Sequence, residues 1–209
     1  MNPEYTKQKI YSLKGTFPRK SPQGVYDQIL CTECEQLFSS GDDYILRFLE
    51  KIKKEVKTTG NQSYTVYITF DLSLINYFIA SLVFRASASQ KQEFQAVNLG
   101  KKYESLFKKY LCSEIPFPDV IEYIFMKYDV CNPILMPLRK KIEGCNVYVF
   151  HLGKYELCVK IDQKRFSETF KPLTDHQTEF VVMHLKDSES IALKLMNKIA
   201  DKYKKLRLL

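Results

Sequence analysis

The most apolar stretch of the chain, Leu72 to Phe84 (LSLINYFIASLVF), limits what everything around it must do. At 13 residues, with Ser and Asn inside it, it falls well short of the roughly 20 needed to cross a bilayer. It is expected to be a buried helix, Ser73 to Ser87, and the rest of the chain has to cover it. Phe94 to Leu111 supplies one cover, with Leu99, Tyr103, Leu106, Phe107 and Tyr110 at helical spacing, so two packed helices are the expected core. Upstream, Tyr44, Ile45, Phe48, Leu49 and Ile52 follow Asp42 and Asp43, acids suited to a helix N-terminus. That helix is expected to run from Asp42 to the Thr58-Thr59-Gly60-Asn61 breaker. Tyr64 to Phe70 reads either as a strand or as a lead into the central helix. Asp119 to Lys127, set between proline pairs, reads as one more short helix.

The last third changes character. NVYVF (146–150), YELCVKI (155–161) and FVVMHL (180–185) are β-type runs, the first two joined through His151, Leu152, Gly153 and Lys154. A small antiparallel sheet is expected here, followed by a basic helix from Ser190 to Leu208. The fold class is therefore α+β. Residues 1–41 read as an irregular arm, 42–138 as a helical region and 139–209 as sheet plus C-terminal helix, the last two forming one compact domain. A 45% hydrophobic, 27% charged composition with 7 Gly and 8 Pro excludes a disordered, collagen-like or linker protein. Six cysteines without an apolar leader point to a reducing cytoplasm, with no membrane association.

Net charge is +8, and it is uneven: residues 1–50 carry 6 basic and 7 acidic side chains, residues 51–209 carry 26 and 17. The excess gathers in clusters: Lys51, Lys53, Lys54 and Lys57; Lys101, Lys102, Lys108 and Lys109; Arg139, Lys140 and Lys141; and Lys202, Lys204, Lys205 and Arg207. Tyr103, Tyr110 and Tyr203 are interleaved with them. Lys and Arg neutralise phosphates, and exposed rings stack on unpaired bases, so the last three clusters are the expected nucleic-acid contacts. The competing reading makes them the solvated sides of amphipathic helices. What separates the two is whether the clusters share one surface.

Cys31-Thr32-Glu33-Cys34 is the most specific local motif. A C-x-x-C pair is half of a tetrahedral zinc site, and two further Cys or His ligands must come from elsewhere. His151, His176 and His184 stand apart in sequence; His176, beside Asp175, comes nearest to an acid/base pair.

The segment Pro22 to Leu49, PQGVYDQILCTECEQLFSSGDDYILRFL, resembles the second half of HNH-endonuclease-like proteins of bacterial genomes and phages. There a turn of the form GVYD-x-x-LLC-x-x-C precedes an acidic residue, a polar segment and YE-x-YA. The matching residues are Gly24, Val25, Tyr26, Asp27, Ile29, Leu30, Cys31, Cys34, Glu35, Asp43 and Tyr44. Members of that family begin with a first C-x-x-C and an SH-x-IP element, supplying the other zinc ligands and the histidine that activates water. No Cys or His precedes Cys31 here. The resemblance thus implies a degenerate HNH-like accessory protein without a complete catalytic set, binding nucleic acid or a protein partner, itself included, in a defence or mobile-element system. Its alternatives are a metal-dependent nuclease completed by a partner subunit or second copy, and a non-enzymatic interaction or inhibitor protein. Zinc at Cys31 and Cys34 is expected only if another chain completes the site, and no other cofactor is implied.

Overall fold

In chain order the elements begin with a two-stranded antiparallel ladder, β1 (Lys9–Ile10) with β2 (Arg19–Lys20), followed by helix α1 (Thr32–Lys51). They come from a computed structural model that describes residues 9–10, 19–20, 29, 31–51, 55–59, 62–129 and 136–186. The start of α1 corrects the sequence expectation, because the helix begins well before Asp42. Ser39 and Ser40, inside the stretch expected to be an irregular arm, donate back to the carbonyls of Gln36 and Leu37 at 2.7 and 3.2 Å and stay helical. Gly41 is there for closeness: a Cβ on it would lie 3.0 Å from the backbone nitrogen of Phe78 in the next helix. One residue on, the Asp42 carboxylate takes a two-pronged bond from the Arg85 guanidinium at 3.0 and 2.8 Å. Asp42 is therefore a clamp between helices and not a helix start.

Gly41→Ala tests that contact. Alanine favours a helix by about 1 kcal/mol over glycine, but forcing two backbones apart costs about 1–3 kcal/mol, so net destabilisation is expected in urea unfolding. A stabilised variant would show that the helices separate without penalty.

The expected continuation of α1 to Thr58 is also corrected: the helix ends at Lys51, and β3 (Glu55–Thr59) pairs antiparallel with β4 (Gln62–Tyr67). Asp71 then caps α2 (Leu72–Ala88), its carboxylate accepting from the Leu74 N–H at 3.0 Å. This is the anticipated central helix, with Ile75, Ile79, Ala80 and Val83 fully buried. A 3-10 turn (Gln92–Phe94) leads to α3 (Gly100–Leu111), shorter than the spacing suggested.

β5 (Ile121–Lys127) is a strand where a helix was expected. IEYIFMK is β-branched and aromatic, lacks a polar face, and lies inside the sheet with residues from Ile121 to Met126 buried except for half-buried Glu122. β6 (Leu138–Ile142), β7 (Cys145–Leu152), β8 (Tyr155–Ile161), the four-residue helix α4 (Lys171–Thr174) and β9 (Phe180–His184) complete the described chain. The fold is α+β. Its sheet is larger than the small antiparallel one expected: seven strands in the order β3-β4-β9-β5-β8-β7-β6, antiparallel except for the parallel β5–β9 pair.

Both faces are covered. On one, Tyr67, Tyr123, Phe125, Leu157, Val159 and Phe180 join the core formed with the helices. On the other, Ile124, Val147, Val149 and Cys158 pack with Phe166 and Leu173 from the segment after β8. α1 passes unbroken through residue 41, and the sheet bonds β5 to β8 across residue 138. The anticipated helix from Ser190 to Leu208 lies outside the described residues. Among those described, no helix is long and apolar enough to cross a membrane.

Candidate functional site

The basic clusters are separated and regrouped by the fold. Helix α3 starts with its Gly100 N–H met by Asn98 Oδ1 at 3.0 Å but without an acid in its first turn, and places exposed Lys101 and Lys102 there. Unsatisfied N–H groups make a helix N-terminus positive, so lysines at that end are repelled and add to a local positive potential. Lys108 and Lys109 sit in the last turn of the same helix, where a cation is favoured and needs no further explanation. One stretch of four lysines thus divides into a pair that stabilises its helix and a pair that does not. Lys102 Nζ lies 5.6 Å from the centre of the Tyr103 ring.

β6 is an edge strand. Its Arg139 and Lys141 lie opposite Tyr148 and Asn146 of β7, whereas Lys140 lies opposite Val147. Side chains alternate along a strand, and directly opposed residues share a face, so Arg139 and Lys141 lie on the face of Tyr148 and Lys140 on the other. Tyr148 marks the helix-bearing face: its hydroxyl donates to the Asn98 carbonyl and accepts from the Asn98 N–H at 3.2 Å. Asn98 is the last turn before α3. Lys101, Lys102, Arg139 and Lys141 therefore share the helix-bearing side of the sheet at its β6 edge. Lys140 does not belong to this group, and Lys202, Lys204, Lys205 and Arg207 lie outside the described residues. Nothing in the sequence signals the Tyr148–Asn98 junction that brings α3 to β7.

No known protein family, curated protein or solved structure matches this chain.

Cys31 is exposed just before α1, and its carbonyl accepts from the Glu35 N–H at 3.0 Å. Its thiol and the Glu33 N–H hold the Glu33 carboxylate below its ordinary range. Cys34 lies inside the first turn of the helix. Among the described residues no three His, Cys, Asp or Glu side chains gather as a metal would need.

The histidines are more buried than their surroundings in sequence suggest. His151 lies within β7, not in a turn, and its Nδ1 is 3.4 Å from Glu156 Oε1 with both side chains fully out of solvent. His184 Nε2 is 2.6 Å from Thr65 Oγ1. His176 is stacked between Tyr123 and Phe180, each ring centre 4.6 Å away, with Nε2 3.2 Å from the Tyr123 carbonyl. A carbonyl only accepts, so Nε2 carries the hydrogen, and Nδ1 has no hydrogen-bond partner among the described residues. Burial lowers its pKa to about 4, outweighing the Tyr123 bond and Asp175. Asp175 is exposed and caps the Gln177 N–H, so the Asp175–His176 pair is not an acid/base pair poised near neutrality.

His176 lines a cleft of about 460 Å³ at the end of the sheet where β5 begins. A larger hollow of about 880 Å³, along the first half of α2, shares Asn76 and Phe117 with it. The Tyr123 hydroxyl donates to Asn76 Oδ1 at 2.7 Å between them. Burial and neighbouring Tyr77 hold the Tyr110 phenol up at about 12, so it stays neutral at ordinary pH.

Proposed function

We propose that this chain binds nucleic acid, without cleaving it, through the face that carries Lys101, Lys102, Arg139 and Lys141. The observation that carries this reading is the acid-free first turn of α3, where two exposed lysines sit at the positive end of a helix beside a basic strand edge. An arrangement that works against helix stability and raises local positive potential suits a phosphate backbone. The net charge of +8 supports the same direction. The resemblance to HNH-endonuclease-like proteins puts such binding in a bacterial defence or mobile-element system, with zinc at Cys31 and Cys34 only where another chain adds ligands.

Fluorescence anisotropy with labelled single- and double-stranded oligonucleotides across a salt series tests the reading. Binding should weaken steeply with salt, and Lys101→Glu with Lys102→Glu should lower the log–log salt slope by about 2, roughly one unit per lost phosphate contact. The same double variant should raise the melting temperature, because acids suit the first turn of α3. Binding that ignores salt, or that survives the double substitution unchanged, would sink the proposal.

A further inference from the structure

The two connected hollows beside α2 have a character unlike the rest of this basic chain. Their wall is a run of ring contacts, Tyr77 to Tyr110 at 6.3 Å, Tyr110 to Phe117 at 5.2 Å and Phe117 to Tyr123 at 6.2 Å. Leu37, 60% exposed, lies at the far end of the larger hollow. The lining carboxylates are Glu114, Asp119, Glu122, Glu168 and Asp175, against Arg165 and Lys171. Two are neutralised nearby, Glu122 by Lys160 at 2.9 Å and Glu168 by Lys171 at 3.5 Å. Glu114 and Asp119 are exposed, and their carboxylates have no partner among the described residues. His176 lines the smaller hollow but is 5% exposed, and its unpartnered Nδ1 is itself buried.

Glu114 and Asp119, unpaired beside aromatic rings and outnumbering the one lining cation without an ion pair, Arg165, favour a cation that carries its own hydrogens. No three ligating groups gather here among the described residues, so the match is an ammonium or guanidinium group and not a bare metal ion. Leu37, Tyr77 and Phe117 add apolar surface for neighbouring side chains. The geometry points to this groove as a docking site for a segment of a partner protein in which Lys or Arg alternates with aliphatic residues. Glu114 and Asp119 repel phosphate, so this surface disfavours nucleic acid.

The test is fluorescence anisotropy on the full chain at low salt with two labelled synthetic octapeptides, alternating Lys–Leu and alternating Glu–Leu. The Lys–Leu peptide should bind and the Glu–Leu peptide should not. Glu114→Lys with Asp119→Lys should weaken the Lys–Leu peptide about tenfold or more, since opposed rim charges become like charges. An unlabelled oligonucleotide should leave the peptide in place. Both positions are exposed; a melting curve confirms folding, and Glu114→Gln with Asp119→Asn serves if the reversal unfolds the chain. Failure of the Lys–Leu peptide to bind, binding indifferent to either pair of substitutions, or displacement by the oligonucleotide would each overturn the proposal. Loss of oligonucleotide binding in Lys101→Glu/Lys102→Glu bears on the nucleic-acid reading alone, so the two readings fail separately.

Discussion

Lys160→Met is expected to remove about 3–5 kcal/mol of folding free energy, a large share of the roughly 5–15 kcal/mol available to a domain. Lys160 is fully buried on the sheet face away from the helices. Its ammonium donates to the carbonyls of Val120, Asp162 and Lys164 at 3.1, 2.9 and 2.6 Å and lies 2.9 Å from Glu122 Oε2 as an ion pair. Glu122 Oε2 also accepts from the Phe166 N–H at 3.2 Å. One charge thus ties the entry of β5 to the exit of β8 and holds the segment that brings Phe166 onto the sheet. Methionine fills the volume but leaves three carbonyls short of a donor and a carboxylate without its cation, and unmet buried groups carry the full desolvation cost. Adding Glu122→Gln should return part of the loss by removing the stranded charge. Urea unfolding of the two variants measures both effects; a loss below about 1 kcal/mol for Lys160→Met would mean the lysine is solvated in solution.

Lys160 also shows where sequence reading runs out. In YELCVKI the residues alternate, with Tyr155, Leu157, Val159 and Ile161 apolar and Glu156, Cys158 and Lys160 polar. By period alone this is a strand with one face in water. Yet Glu156, Cys158 and Lys160 are all buried, because Phe166 and Leu173 come back over that face. The compensating partners, Glu122 for Lys160 and the Tyr128 hydroxyl for Glu156 at 3.0 Å, stand far off in sequence, so no local pattern announces them. The opposite held for α2, whose apolar density and Asp71 cap are local properties, and for the β7–β8 hairpin. β5 failed for a related reason: a central strand buried on both sides has no period, and prolines around it look the same whether they bracket helix or strand. Gly41 is a contact between α1 and α2 that no local pattern announces. For the candidate site, the lysines were visible individually, but their division into Lys101 and Lys102 on one end of α3 and Lys108 and Lys109 on the other depends on where that helix begins. That Arg139 and Lys141 join the first pair while Lys140 does not depends on sheet register.

The pH dependence of stability should carry the signature of His176. Above its ordinary pKa of 6.5 the ring is neutral whether the chain is folded or not, and it adds no slope. Between 6.5 and about 4 the unfolded chain takes up a proton that the folded ring, pressed between Tyr123 and Phe180, refuses. Stability is therefore lost as pH falls through this window, by about 3 kcal/mol in all, and levels off below it as the folded ring also protonates. His176→Phe keeps a ring in the stack but removes the titration. It should be less stable than the parent near pH 7 by about 1 kcal/mol, having lost the hydrogen bond to the Tyr123 carbonyl, and its stability should fall less between 6.5 and 4. The two curves should consequently approach and cross on acidification, since other titrating groups contribute alike to both and cancel in the difference. Urea unfolding at several pH values gives that difference directly. Parallel curves would mean that the ring is reached by water or by a donor on Nδ1 in the folded chain, and would remove the physical basis for a permanently neutral His176 in the lining of the smaller hollow.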